Sequence, residues 1–250
     1  MPVIEVRDLW KSFGKEPVLK GVNLRVEDGE TITILGKSGS GKTVLLKNIV
    51  GLMRPDRGSV FIDGVNITRA KGKTLYGIRR NMGFVFQWSA LFDSMTVFEN
   101  VALPLIEMKI DPDEIRKRVD EALEMVEMGG TQRLYPAELS GGMKKRVGVA
   151  RAIVSRPRYL FYDEPTTGLD PITADTICSL ISELDRKLGV TSVVVTHDMH
   201  LATKVSDRIV LLSEGVIAWE GSPAEAISSK RGPVADFIEA TSLQPQERGA

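Results

Sequence analysis

The 250-residue chain has one cysteine, Cys178, and two histidines, His197 and His200. A single thiol cannot close an internal disulfide, so the composition points to a reducing compartment. Cys178 sits among Ile177, Leu180 and Ile181 and reads as a helix-core residue, not as a reactive thiol. Neither histidine has metal-ligand company nearby in the sequence, which argues against a protein-bound zinc site. Charge of one sign is also missing: 33 Lys and Arg balance 33 Asp and Glu. No long like-charge tract provides the basic stripe that nucleic acid requires, so no nucleic-acid partner is expected. Apolar runs fall short of the ~18 residues that a membrane span needs. The start, Met1-Pro2-Val3-Ile4-Glu5-Val6-Arg7, lacks the basic-then-apolar order of a signal peptide. A soluble, cytosolic chain is expected, in which the sequon Asn66-Ile67-Thr68 goes unused.

Glycine-rich punctuation is what the chain does have. Gly36-Lys37-Ser38-Gly39-Ser40-Gly41-Lys42-Thr43 fits the P-loop pattern, in which backbone N–H groups close around phosphates. Its context is the required one. Residues 31–35 read as a strand, and Lys42 onward carries Val44, Leu45, Ile49 and Leu52 at helical spacing until Gly51 and Pro55. Lys42 is expected to reach the β- and γ-phosphates and the Thr43 hydroxyl to ligate Mg2+. The following helix presents its N-terminal dipole and free N–H groups to the anion.

Further strands are expected at residues 3–6, 22–26, 59–63 and 82–86. From about 88 to 139 the pattern becomes helical. Thr96 and Glu99 form a candidate capping box, and Pro104 is expected to kink or end the helix they open. A second helix is read over 112–128, with Ile115, Val119, Leu123 and Val126 on one side, broken by Gly129-Gly130. The core resumes at 159–163, followed by a helix near 172–188 and a strand at 191–196. The all-apolar Val193-Val194-Val195 suits a strand of a parallel sheet buried on both faces. A hairpin over 208–213 and 216–220 closes around Glu214-Gly215. The polar tail from Gln244 is expected to be disordered.

Asp163 and Glu164 end the strand 159–163. Asp163 suits a Mg2+ ion held through water, and Glu164 suits a general base that orients and polarises the attacking water. Ser140, Gly141 and Gly142 precede a helix read over 143–154 and make a second anion site. Lys144, Lys145 and Arg146 read as subdomain surface, and His200 as an ordinary exposed histidine.

Leu139-Ser140-Gly141-Gly142-Met143 resembles the signature motif of ATP-binding cassette (ABC) proteins. Pro165-Thr166-Thr167-Gly168-Leu169-Asp170 resembles their D-loop. With the P-loop and the Asp163-Glu164 pair, these segments are similar to ABC transporter ATPase subunits from Val3 to about Ile227. The resemblance implies an α/β fold: a P-loop NTPase core with an antiparallel β subdomain and an inserted α-helical subdomain. It divides the chain into a core at 1–87 and 157–230, a helical insertion at 88–156, and a C-terminal helix and tail at 231–250. It implies ATP and Mg2+ as cofactors, with Gly36, Lys37, Ser38, Gly39, Ser40, Gly41, Lys42, Thr43 and Val44 around the nucleotide. Gln87 takes the place of the Q-loop glutamine, which touches Mg2+ with Thr43 and Asp163. His197 takes that of the residue contacting the γ-phosphate. Phe13 stands where these proteins stack an aromatic ring on adenine, and Trp10 is its rival.

In this family the signature of one subunit closes on ATP held by another. Because the chain has no internal repeat, a head-to-tail homodimer is implied. Residues 91–101, 138–146 and 170–173, and Met143 in particular, are similar to the Mla/Mce-associated lipid-transport ATPases of the organic-solvent-resistance type. That resemblance implies a peripheral position on the cytoplasmic face of the inner membrane and phospholipid transport through an MlaE-type permease. An Mce-domain protein and a STAS-domain subunit would be further partners. A polar-solute importer ATPase, such as one for an amino acid, is the alternative, and a soluble non-transport ATPase a further one. Val234, Phe237 and Ile238 at helical spacing point to a segment over 232–243 that docks on the neighbouring ATPase or packs on its own domain.

Overall fold

A computed structural model describes residues 3–242. The disorder expected from Gln244 onward lies outside the described residues. Two sheets organise the chain. β1 (Ile4–Phe13), β2 (Glu16–Val26), β4 (Arg57–Ile62) and the short β5 (Val65–Asn66) form an antiparallel sheet in the order β2-β1-β4-β5. The second sheet contains β3 (Thr31–Leu35), β6 (Met82–Val85), β7 (Tyr159–Asp163), β8 (Thr191–Thr196), β9 (Arg208–Ser213) and β10 (Val216–Gly221). Its order is β10-β9-β3-β8-β7-β6, parallel except for β10. β1 and β2 run well beyond the short segments expected from sequence. Their outer halves alternate polar residues that give no apolar run, and register shifts interrupt their pairing.

β7 and β8 are buried along their whole length, as the apolar composition of β8 predicts. Alternation then assigns side chains to two cores. Phe161, Val193 and Val195 pack towards the antiparallel sheet around Leu45, Leu46 and Ile49 of α1 (Lys42–Ile49). Leu160, Tyr162 and Val194 face the opposite core, shared with α3 (Val97–Glu107), α4 (Pro112–Met125), α5 (Gly141–Ile153) and α6 (Pro171–Leu188). Among the described residues no helix is long and apolar enough to cross a membrane.

α2 (Gly72–Arg79) buries no residue, so it left no apolar stripe to read in the sequence. The Thr96–Glu99 capping box is present, with Glu99 N donating to Thr96 Oγ1 at 3.2 Å. Pro104 does not end α3. The helix continues to Glu107 because Val97, Val101 and Leu105 are fully buried along its inner face, and one lost backbone bond does not outweigh that anchoring. α4 ends at Met125, short of Met128, and Glu127 adopts a left-handed φ of 56°. Cys178 is buried on α6, and burial pushes its thiol up to about 11, an unreactive state.

α7 (Met199–Val205), α8 (Pro223–Ser228) and α9 (Pro233–Ser242) complete the chain. Val234 and Phe237 of α9 are buried against Leu35, Ala202, Ile209, Leu211 and Ala226. Docking of these two side chains on a neighbouring ATPase is therefore corrected. Their apolar face is consumed within the chain.

Candidate active site

Parallel register brings the chemistry to one edge. Leu35 pairs with Thr196, Val195 with Asp163, and Tyr162 with Val85. Gly36, His197 and Glu164 come directly after these pairs and Gln87 two residues after Val85, at the carboxyl ends of β3, β8, β7 and β6. That edge is where parallel α/β sheets bind ligands.

The P-loop joins β3 to α1. Gly41, at the helix N-cap, has a φ of 100°, a conformation that a side chain would strain. A Cβ on Gly36 would stand 2.5 Å from the Leu212 carbonyl oxygen and 2.6 Å from Ser40 Oγ, so only glycine fits. Lys37, Ser38 and Gly39 form the outer arc, and Ser40 Oγ is buried without a hydrogen-bond partner. Lys42 Nζ lies inside the arc, donating to the carbonyls of Gly36 at 2.8 Å and Lys37 at 3.1 Å. Val44 follows in the first turn of α1, where the leading N–H groups have no intrahelical acceptor.

Thr43 Oγ1 donates to Asp163 Oδ1 at 2.9 Å. Burial, with the neighbouring Glu164 charge, raises the Asp163 carboxyl above its ordinary value, against the lowering effect of that hydrogen bond. Glu164 is 8% exposed and has a left-handed φ of 48°. Its Oε1 lies 3.3 Å from Lys42 Nζ. Its Oε2 meets His197 Nδ1 at 2.9 Å and accepts from Thr196 Oγ1 at 3.2 Å and from the His197 amide at 3.3 Å. Burial pushes the Glu164 carboxyl up, but the His197 and Lys42 contacts outweigh it and hold the carboxyl below its ordinary value. The same hydrogen bond raises His197, against a smaller opposing effect of burial.

Phe13 is half exposed at the end of β1, with Lys11 Nζ 5.8 Å from its ring centroid. The rival Trp10 is tied down, its Nε1 donating to Asp8 Oδ1 at 2.7 Å. His200 is exposed and contacts Asp175 Oδ1 at 2.8 Å, away from this group.

The signature lies elsewhere in the chain. Ser140 caps α5, its Oγ accepting from the Met143 amide at 3.3 Å; the helix begins at Gly141, two residues earlier than expected. Leu139 is buried, whereas Ser140 and Gly141 are exposed. Leu169 reaches the space beside Gly141, and Thr173 packs against Gly142. Gly168 lies against the Trp88 ring. The Asp170 carboxylate caps α6, accepting from the amides of Ile172 at 3.1 Å and Thr173 at 3.0 Å. Among the described residues no hydrogen bond joins Leu139, Ser140, Gly141, Gly142 or Met143 to the P-loop of the same chain.

Lys145 was expected on the surface and is not there. It is 5% exposed, and its Nζ donates to the Gln87 carbonyl. Burial brings its amine down to about 8, with the Glu164 charge acting in the opposite direction. The available signal was Gly148, a mid-helix glycine three residues later, which marks a close approach on that helical face. Arg151 and Thr196 were also not singled out from sequence. Among the described residues no group of three or more His, Cys, Asp or Glu side chains could hold a metal. Any metal here shares its coordination with other donors.

Comparison with known proteins gives the family. The sequence profile described as ABC transporter matches residues 19–167, and the chain belongs to that family as an ATP-binding cassette ATPase. It is 40% identical over 233 residues to the methionine import ATP-binding protein MetN of Brucella abortus, covering 93% of this chain and 63% of that one. The chain thus spans less than two thirds of the length of that relative. It is also 40% identical over 243 residues to the probable ribonucleotide transport ATP-binding protein mkl of Mycobacterium leprae, covering 97% and 70%. A dimeric structure of the cassette MJ0796, in a post-hydrolysis state bound to ADP and Pi, superposes with a TM-score of 0.80 at 37% identity, covering 88% and 98%. The cbiO1 structure from Clostridium perfringens, part of the cbiONQ transporter complex, gives 0.84 at 32% identity, covering 98% and 96%.

Proposed function

We propose that the chain hydrolyses ATP at two composite sites of a head-to-tail homodimer and thereby drives a membrane permease. The observation that carries this reading is the Lys42–Glu164–His197 contact beside the Thr43–Asp163 pair, on the same sheet edge as the P-loop. Leu139, Ser140, Gly141, Gly142 and Met143 would complete the site of the opposite copy, where exposed first-turn amides and the α5 dipole favour a γ-phosphate. Gly168, Leu169 and Asp170, of which Leu169 lies beside Gly141, would run between the two sites.

Lys42 would take up the β- and γ-phosphates in place of its two loop carbonyls, and the unpartnered Ser40 hydroxyl would gain an acceptor. A hydroxyl and a carboxylate 2.9 Å apart are hard oxygen donors beside a phosphate cradle, which fits Mg2+. Thr43 and Asp163 would hold it, with Gln87 approaching from the adjacent strand end. When bound, Mg2+ supplies positive charge to the phosphate oxygens. Glu164 is held ionised by Lys42 and His197, the state in which a carboxylate orients water and accepts its proton. His197 locks the carboxylate orientation through Nδ1. Phe13 would stack on adenine. Closure around ATP and reopening after hydrolysis would be passed to the permease near Gln87 and residues 88–96.

For the cargo, relatives named for methionine import and ribonucleotide transport support import of a polar solute. Phospholipid transport through an MlaE-type permease, with Mce-domain and STAS-domain partners, is the second reading. Met143 in the signature favours it. Either places the chain on the cytoplasmic face of the inner membrane. Mild-detergent purification with native membrane partners, followed by mass spectrometry of proteins and bound small molecules, separates the readings. A solute permease supports import. A multispanning permease with an Mce-domain protein and phospholipid supports the second reading. Recovery without any membrane protein overturns both.

A further inference from the structure

The signature helix α5 also grips the segment that carries Gln87. Lys145, Gly148 and Arg151 recur at intervals of three and share one helical face. That face lies on residues 87–90. Lys145 Nζ donates to the Gln87 carbonyl, and Arg151 donates to the carbonyls of Ser89 and, at 2.6 Å, Ala90. Between the two cations, Gly148 faces the buried Ser89. A Cβ on that glycine would stand 3.4 Å from Ser89 Cβ, an ordinary van der Waals contact. Ser89 and Ala90 are both left-handed, at φ 60° and 46°, a conformation unfavourable to residues with a side chain. The segment lies beyond the end of β6 and has no sheet ladder of its own. Its shape is held by a local turn, in which the Ser89 amide donates to the Phe86 carbonyl at 3.0 Å, together with the contacts from α5.

We propose that Lys145 is a positioning residue for ATP hydrolysis, its buried ammonium fixing the Gln87 backbone to the helix whose first turn is the signature. This inference rests on the role proposed for Gln87. It makes the setting of Gln87 at one site and the placement of the same chain's signature parts of one rigid unit. Displacing the signature would carry Gln87 with it, and conversely.

Steady-state turnover of the chain with saturating Mg-ATP is compared for the parent, K145M, K145R, Q87A and the double variant Q87A/K145M. K145M is expected to lower kcat about tenfold while KM for ATP stays within about twofold, because Lys145 touches no substrate. K145R, which retains a cationic donor, is expected to recover most of the loss. In the Q87A background K145M should add no further loss, since Lys145 acts only by placing the Gln87 side chain that Q87A removes. If K145M does not fold, K145Q replaces it in both backgrounds and is read in the same way. Parental kcat in K145M, with Q87A slow, overturns the role of Lys145 and leaves that of Gln87 intact. A K145M loss that multiplies with the Q87A loss, or that K145R does not recover, also overturns it. Parental turnover in Q87A removes the role of Gln87 and this inference with it.

Discussion

Asp185 offers a quantitative test of the core beneath the site. It lies on α6, 7% exposed, where its Oδ1 accepts from Tyr162 Oη at 3.0 Å and its Oδ2 from Thr31 Oγ1 at 3.2 Å. Burial raises its carboxyl from the ordinary 3.8 to about 6, despite the hydrogen bonds from Tyr162 and Thr31 that favour the charged form. The folded protein therefore holds this proton more tightly than the unfolded chain does. Below pH 3.8 both states are protonated and Asp185 costs nothing. As pH rises towards 6 the unfolded chain releases its proton first, and the folded state is progressively destabilised. Beyond pH 6 the penalty is complete, at about 3 kcal/mol by proton linkage. Asp185→Asn keeps the shape and removes the titration. Urea denaturation of both proteins between pH 3 and 8 should show the variant gaining about 3 kcal/mol relative to the parent between the low and high ends. A stability difference that is flat across this range would refute the reasoning.

At the site, Glu164→Gln should lower ATP turnover by about two to four orders of magnitude while ATP affinity stays within severalfold, since Lys42 and Thr43 remain. Phosphate release and nucleotide titration measure the two effects, gel filtration in ATP should show an accumulated dimer, and turnover above a tenth of the parental rate would exclude Glu164 as base. The His197 imidazole should titrate above 6.5 in an NMR experiment and move down in Glu164→Gln, because Glu164 is the main cause of its raised value. The stabilisation from that contact is present below the ordinary histidine value and fades as pH rises through the raised one. Gly83→Ala should destabilise the chain by about 2–3 kcal/mol in denaturant. Its Cβ would fall 2.2 Å from the Ala152 carbonyl oxygen, where α5 meets β6. Phe13→Ala should weaken ATP binding about tenfold, whereas Trp10→Ala should change it less than twofold; equal effects would dismiss the choice of Phe13.

The sequence by itself determined whatever depends on local chemistry. Glycines at 36, 39 and 41 before a helical run predict the tight turn that joins β3 to α1, because its closure needs backbones without side chains. The apolar run of β8 and the Thr96–Glu99 cap were legible for the same reason: burial on both faces and free N–H groups leave marks within a few residues. Elements held by few apolar residues left no such mark. α2 buries nothing, and the polar outer half of β1 looks like a loop until its partner strands are present. Pro104 reads as a kink or an end because its local cost is readable, whereas the burial that carries α3 on to Glu107 is not. Only tertiary structure placed Glu164 between Lys42 and His197, since these residues come from the start of α1 and the ends of β7 and β8, brought together by parallel pairing. Lys145 shows the limit most clearly. In the sequence it is one of three consecutive basic residues, and its place against the Gln87 carbonyl follows from the approach of α5 to a distant bend. Long-range packing decides which charges are solvated and which are buried, and no short stretch of sequence records that choice.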